Sequence, residues 1–359
     1  MATEERVFSD LPIPPGELLT ETLEALDLSQ AELARRMDRP VQAINEIARG
    51  TKEITPETAI QLERVLGVPA HIWLGLETEY QHTKARLEDR KRLEEEANLT
   101  PRFPCDALAR LGWIPKTSNR VERAAHLLSF FGVGSLRVVR EAEAVAFRTS
   151  RAKEAQPEAL AAWLRKGVLE GQSIITKPFS EPGLRAVLPE LRRLTTKMPA
   201  VFEPGVKKAL ASAGVALVLL PHLPKTHANG AARWLSPEKA LIQLSLRGKW
   251  ADIFWFTLFH EIGHLLLHGR RDVFIEWVDR GEDNRETEAD NFASDVLIPS
   301  AAFAEFRRMH TLVSRANVIS FARSQDISPG IVVGRLQHDG IIRFSDLNGL
   351  RIRLEWAES

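Results

Sequence analysis

Residues 252–269 read DIFWFTLFHEIGHLLLHG, an almost wholly apolar stretch interrupted by His260, Glu261, His264 and His268. Its length and composition predict a buried helix, and a buried helix does not carry such groups without a reason. At i and i+4, His260 and His264 fall about 40° apart on one face. Two neutral imidazoles so placed can hold one Zn²⁺, and Glu261, next to the first of them, can take a proton from a water on the metal. The competing reading is a pair of buried histidines satisfied within the core. His268, one turn further on, is open to three readings: third metal contact, neighbour of a ligand, or core residue. Contact with a ligand, or a structural role, is favoured over contact with the metal.

A catalytic zinc takes three protein ligands and keeps one position open, so a third ligand is expected downstream. Residues 284–298, NRETEADNFASDVLI, carry Ala289, Phe292, Ala293, Val296 and Leu297 at the spacing of a helix packed on a core. At about 100° per residue, Glu286 falls within that stripe and Asp290 at its edge, whereas Glu288 lies roughly 160° from both. The wheel therefore selects Glu286 as the ligand. Asp290, one turn on, is positioned to accept the N–H of a ligating histidine and fix its tautomer. Read without the histidine helix, the same segment would be an ordinary acidic helix with Glu282, Asp283, Glu286 and Glu288 as a solvated face. A donor to a developing oxyanion is also expected, for which His222, His310 and His338 are equal candidates.

The chain has 359 residues, of which 44% are hydrophobic and 27% charged, the profile of a soluble globular protein of two or three domains. Its one cysteine, Cys105, excludes an internal disulfide framework and a multi-cysteine zinc site, and favours a reducing, cytoplasmic setting. The start MATEERVFSD has no basic segment leading into an apolar run, and the longest apolar stretches fall short of a membrane span, so neither export nor membrane insertion is expected. Zero net charge hides an asymmetry. Residues 1–80 hold 7 Lys+Arg against 15 Asp+Glu, and residues 81–200 hold 22 against 14. The basic middle is expected to dock on the acidic head or to remain a solvated face.

Leu18, Leu19, Leu23 and Leu26 stand at helical spacing. Ser29 with Glu32 three residues on predicts an N-cap and capping box for a second helix. Val41 to Ala48 and a segment from Thr55-Pro56-Glu57 to Gly67 complete a set of short helices joined by tight turns. That is a helix-turn-helix pattern with 41–48 as the recognition helix. The run from PGELLTETLEALDLSQAELARRM to VPAHIWLGLETEY, over about residues 12–80, resembles the XRE-type helix-turn-helix of HigA-like antitoxins. Such domains bind operator DNA as dimers. The resemblance therefore implies DNA binding and a homodimer, with Gln42 and Asn45 facing base edges and Arg39, Arg49 and Lys52 near phosphates. The acidic balance of the domain and Glu46 run against that footprint.

Residues 77–98, containing KARLEDRKRLEEEAN, predict a solvated connecting helix. The following section has helices around 121–131 and 157–169, with FFGVGSL and AFRTS as punctuation, and resembles the helical middle of XRE-linked ImmA/IrrE-type proteins. Residues 206–213 read as helix, 215–220, 230–234 and 240–246 as strands, with 230–234 taken as the sheet edge. After Pro299, helices are expected at 302–309 and 329–337, and a closing pair of strands at 341–344 and 351–354.

Together FHEIGHLLLHG and ETEADNFASDVLIP resemble the ImmA/IrrE metallopeptidases, whose pattern is HExxH followed by ExxA(N/D)xFAxxLLxP. The resemblance covers about residues 205–340, departing at Asp295 and Ile298. By position it makes His260, His264 and Glu286 the metal ligands and Glu261 the general base. It implies a cytoplasmic zinc endopeptidase that cuts repressors or antitoxin-type regulators in mobile-element, phage or DNA-damage control. A His₂Glu site also accepts Mn²⁺. The expected architecture is thus multidomain α plus α+β: a helix-turn-helix over 1–80, a charged helix and helical middle over 81–200, and a zincin-like domain with a small sheet and C-terminal helical lobe over 201–359. The alternative is a helix-turn-helix regulator or antitoxin whose peptidase lobe senses or scaffolds.

Overall fold

The computed structural model describes residues 11–139, 156–246, 249–269, 274–277, 284–310 and 312–355. The AFRTS punctuation, residues 146–150, and the acidic pair Glu282 and Asp283 lie outside the described residues. The chain divides into two compact units after Asn98.

The first unit contains α1 (Gly16–Ala25), α2 (Gln30–Arg36), α3 (Val41–Ala48), α4 (Pro56–Leu66) and α5 (Ala70–Ala97). One apolar face of each short helix closes on a shared core of Leu19, Leu23, Leu33, Ile44, Leu62 and Trp73. Ser29 caps α2 by accepting from the Glu32 N–H at 3.1 Å. The expected capping box is only half formed. Instead of reaching back, the Glu32 carboxylate accepts from Arg35 and Arg36, and these bonds, Arg35's first, hold it down at about 2. The charged 77–98 stretch is the greater part of α5, which is anchored near its start by buried Trp73 and by Glu77, a carboxylate accepting from the Ile54 N–H at 3.1 Å.

The second unit begins with α6 (Cys105–Arg110), α7 (Arg120–Phe131), α8 (Pro157–Ser173), α9 (Glu181–Leu194) and α10 (Pro199–Ser212). The sheet strands β1 (Val215–Leu220), β2 (Ala228–Ser236) and β3 (Lys239–Ser245) follow, and then α11 (Ala251–Leu267). The short strand β4 (Phe274–Trp277) precedes α12 (Asn284–Leu297), α13 (Ser300–Met309), α14 (Arg315–Ser324) and α15 (Pro329–His338). The four strands lie in the order β1-β3-β2-β4. β1 runs parallel to β3, from Val215 against Ala240 to Leu220 against Ser245, and β2 is antiparallel to both of its neighbours.

Both faces of this sheet are buried, which is why β1 reads VALVLL without alternation. Val215, Leu217, Ile242 and Leu244 join the core that holds Leu184, Leu210 and Trp255 from α9, α10 and α11. Ala216, Val218, Leu220 and Leu241 join another core with Leu108, Leu127 and Trp163 from α6, α7 and α8. Residues 99–200, the greater part of the expected 81–200 section, supply a helix layer to the sheet and lie in the same compact unit as the histidine helix. A strand that is apolar on both sides needs cover on both sides, and these helices provide it.

Two expectations are corrected. The 230–234 segment is not an edge, because β4 pairs with its outer side, Ala231 lying opposite Ile275. Four residues set among charged neighbours are too few to show alternation. The closing strands at 341–344 and 351–354 are replaced by turns and a short 3₁₀ helix at Asn348–Leu350, with a single bridge from Arg353 to Trp250. Among the described residues no helix is long and apolar enough to cross a membrane.

Candidate metal centre

Helix α11 is fixed at its start by charge and along its length by aromatic packing. Asp252, in its first turn, accepts a two-pronged bond from Arg351 at 2.9 and 2.8 Å, and the guanidinium lies over the Trp250 ring at 4.4 Å. Burial pushes the Asp252 carboxyl up, against the pull of Arg351. Further along, Trp255 and Phe254 pack on Phe202 of α10 at centroid distances of 5.0 and 5.5 Å. The result is a rigid helix that carries His260, Glu261 and His264 at 1%, 0% and 0% exposure.

His260, His264 and Glu286 come together with ligand-capable atoms all within 4.8 Å of one another. The two Nε2 atoms are 2.9 Å apart, His260 Nε2 stands 3.3 Å from Glu286 Oε2, and His264 Nε2 stands 3.4 Å from Glu286 Oε1. Donors around a tetrahedral zinc at bond lengths of about 2.0–2.2 Å are roughly 3.3–3.6 Å apart. The triangle therefore has the size for one such ion, slightly contracted on its histidine edge. Burial lowers the basicity of His264, which keeps an imidazole in the neutral form that a metal requires. For Glu286 burial acts upward, but the hydrogen bonds from His260 and His264 outweigh it and leave the carboxyl at about 2.

The far side of each imidazole is also held. Asp290 Oδ1 lies 2.9 Å from His260 Nδ1. His264 Nδ1 lies 3.0 Å from His268 Nδ1, and His268 Nε2 lies 3.1 Å from Glu288 Oε2. One proton arrangement satisfies this chain: His264 donates from Nδ1 to His268, and His268 donates from Nε2 to the Glu288 carboxylate. With a metal in the triangle in place of the Nε2 protons that face Glu286, both histidines would present an unprotonated Nε2 to it. His268 thus touches His264, one of the three residues of the triangle. Glu288, set aside by the wheel as a ligand, anchors the end of that chain.

Two glycines that sequence reasoning passed over make the geometry available. A Cβ on Gly263 would stand 3.2 Å from the Ala289 Cα and from the Phe292 ring, so the small pair Gly263 and Ala289 lets α11 and α12 approach closely enough for Glu286 to reach the histidines. A Cβ on Gly230 of β2 would stand 2.5 Å from Glu261 Oε1. The strand gives up a side chain where the carboxylate lies. The signal for Gly263 was its place between His260 and His264 opposite a run of small residues; Gly230 had none. Of the oxyanion candidates, His222 contacts Thr226 at 3.2 Å, His310 contacts Asn317 at 3.0 Å, and His338 lines a cavity beside α11.

In the first unit the residues proposed to meet DNA surround the exposed side of α3, whose Ala43, Ile44 and Ile47 face the core. Gln42, Arg49 and Lys52 are exposed and Asn45 half-buried, while Arg39 donates to Gln61 of α4 at 2.6 Å. Glu46 stands among them, accepting from Gln42 at 2.9 Å and pairing with Lys52 at 3.8 Å.

Fold and site define a helix-turn-helix unit joined in one chain to a metallopeptidase-like domain. Residues 19–73 match the helix-turn-helix family of XRE type and residues 223–335 match the IrrE N-terminal-like domain of the M78 peptidases. Over its N-terminal part the chain belongs to the helix-turn-helix family, and its C-terminal part carries the match to the IrrE N-terminal-like domain. It is 32% identical over 71 residues to the uncharacterized HTH-type transcriptional regulator YddM of Escherichia coli K12, covering 20% of this chain and 76% of that protein. Virulence-associated protein I of Dichelobacter nodosus is 41% identical over 69 residues, or 19% of this chain and 64% of that protein. A structure of the Pseudomonas aeruginosa antitoxin HigA with the higBA promoter is 35% identical, covering 24% of this chain and 94% of its own at a TM-score of 0.23.

Proposed function

We propose that this protein is a zinc-dependent endopeptidase that cleaves a cytoplasmic protein, a helix-turn-helix repressor or antitoxin-type regulator, under the direction of its own helix-turn-helix domain. The observation that carries the reading is the triangle of His260, His264 and Glu286 with a wholly buried Glu261 next in sequence to its first member. A zinc ion held there supplies Lewis acidity, polarising a peptide carbonyl and lowering the pKa of a water. Mn²⁺ suits the same donors. Glu261 takes the proton of the attacking water and returns it to the leaving amine. Asp290 and His268 keep the two imidazoles in orientation and tautomer.

The helix-turn-helix domain binds DNA through α3, with Gln42 and Asn45 towards bases and Arg49 and Lys52 towards phosphates, as a homodimer on a two-fold operator. The Arg39 Nε–H is taken by Gln61, which orients the guanidinium and leaves its other N–H groups for a phosphate. The second reading, a regulator whose peptidase lobe only senses or scaffolds, is favoured by one observation, the engagement of Gln42 and Lys52 by Glu46, which makes DNA affinity adjustable.

The test is cleavage of a purified helix-turn-helix regulator by zinc-loaded protein. Glu261→Gln is expected to lower the rate by about 10²–10⁴-fold while retaining zinc. A variant that cuts as fast as the wild type overturns the peptidase reading.

A further inference from the structure

A cavity of about 500 Å³ lies beside the metal centre. Its wall includes Phe256 and Thr257, one turn before His260 on α11, and Ser294, one turn after Asp290 on α12. One turn of helix advances about 5.4 Å, so along both helices the cavity begins within a turn of the groups that hold the metal. Asn229, the neighbour of Gly230, is also part of the wall. The cavity therefore lies alongside the place where a scissile bond would sit.

Its chemistry is apolar. Ile253, Phe256, Leu297 and Ile331 line it, and Phe344, a phenylalanine 77% exposed to solvent, stands at its rim. An aromatic ring left in water at the edge of an apolar hollow marks a binding surface. The charged groups of the wall are already committed: Asp252 to Arg351 at 2.8 Å, Arg335 to Asp339 at 2.9 Å, and His338 to the same Asp339 at 3.1 Å. A charged ligand would lose its water without gaining a partner, whereas an apolar one loses nothing. The volume falls in the range of sites that enclose ligands of about 300–1,000 Å³, larger than a single small side chain needs.

We propose that this cavity is a substrate subsite that takes bulky apolar side chains, such as those of Phe and Leu, close to the scissile bond. The proposal rests on the peptidase reading of the adjoining centre. It makes the enzyme selective for apolar segments of its protein substrate, which are exposed in a regulator only where a core or a dimer interface opens.

Binding is measured by calorimetry with the zinc-loaded full chain carrying Glu261→Gln, so that cleavage does not intervene. The probes are N-acetyl-Phe-Leu-amide and N-acetyl-Asp-Lys-amide. The first is expected to bind and the second is not. Ser294→Trp, which fills the cavity from α12, is expected to weaken binding about tenfold or more, and Phe344→Ala, at an exposed position where the fold is not at stake, several-fold. Absence of Phe-Leu binding, equal binding of the two probes, or binding untouched by both substitutions overturns the subsite. Cleavage is read separately on the Glu261 protein. Apolar binding that persists in a wild-type chain unable to cleave any regulator overturns the peptidase reading and leaves the apolar site standing. Cleavage of a regulator without apolar binding overturns the subsite alone.

Discussion

Helices α11 and α3 each carry polar side chains on which a function turns, in opposite settings. On α11, His260, Glu261 and His264 are removed from water and two of them are held from behind by Asp290 and His268. On α3, Gln42 is exposed, Glu46 half-buried, and the two bond to each other across one turn. Burial makes a polar side chain expensive unless something is done with it, so its presence in an apolar helix carries information. Exposure costs nothing, so the same residue types on α3 say little by themselves, and their use depends on which neighbour they release.

The sharpest way to break this contrast is to disturb a buried pair and an exposed pair in the same chain. Arg351→Met strands the buried Asp252 carboxylate and is expected to destabilise the second unit by about 3–5 kcal/mol, read by chemical denaturation. Arg35→Met, at the exposed pair with Glu32, leaves the unfolding of the first unit unchanged by the same measurement. The sign of the pH effect follows from Asp252. Burial raises its folded-state pKa above the ordinary 3.8, and without Arg351 it rises further. A raised carboxyl favours folding below its unfolded pKa and loses that contribution as pH rises through the folded value. The deficit of Arg351→Met therefore shrinks as pH falls from 7 towards 4. A deficit that grows on acidification would contradict this.

A smaller effect is expected behind the proposed metal ligands. Asp290→Asn keeps the shape but removes the negative charge that His260 Nδ1 faces, and zinc affinity falls by about 10–100-fold in a competition titration with a chelating dye. Unchanged affinity would mean that Asp290 serves only the helix.

The smallest effect belongs to α3. Glu46→Gln removes a negative charge from the face proposed to meet DNA and frees Lys52 from its pairing. Operator affinity is expected to rise about several-fold, with a steeper dependence on salt by about one phosphate contact. A fall in affinity would identify Glu46 as a reader of a base, accepting from cytosine, rather than as a brake.

How far each region could be read from sequence follows the same contrast. The spacing of His260 and His264 and the wheel over 284–298 brought Glu286, Asp290 and the histidines to one face, because helical periodicity and burial coincide there. What escaped depends on contacts between elements distant in sequence. Gly263 matters only because Ala289 lies opposite, and Gly230 only because Glu261 lies under it. Strand β4 is four residues long, and its omission made the 230–234 segment look like an edge. Glu288 was set aside as a ligand by angle, and its bond to His268 joins residues too far apart in sequence for a helical wheel to pair. The helices of 99–200 showed their periodicity, but their role as a layer on the sheet was implicit in the unbroken apolar run of β1.

The central claim is that His260, His264 and Glu286 form one metal site, and zinc stoichiometry after exhaustive dialysis tests it most directly. One zinc per chain is predicted for the wild type and for Glu288→Gln, whose carboxylate reaches His268, and none for His264→Gln or Glu286→Gln. Zinc retained by Glu286→Gln at the wild-type level would contradict the account.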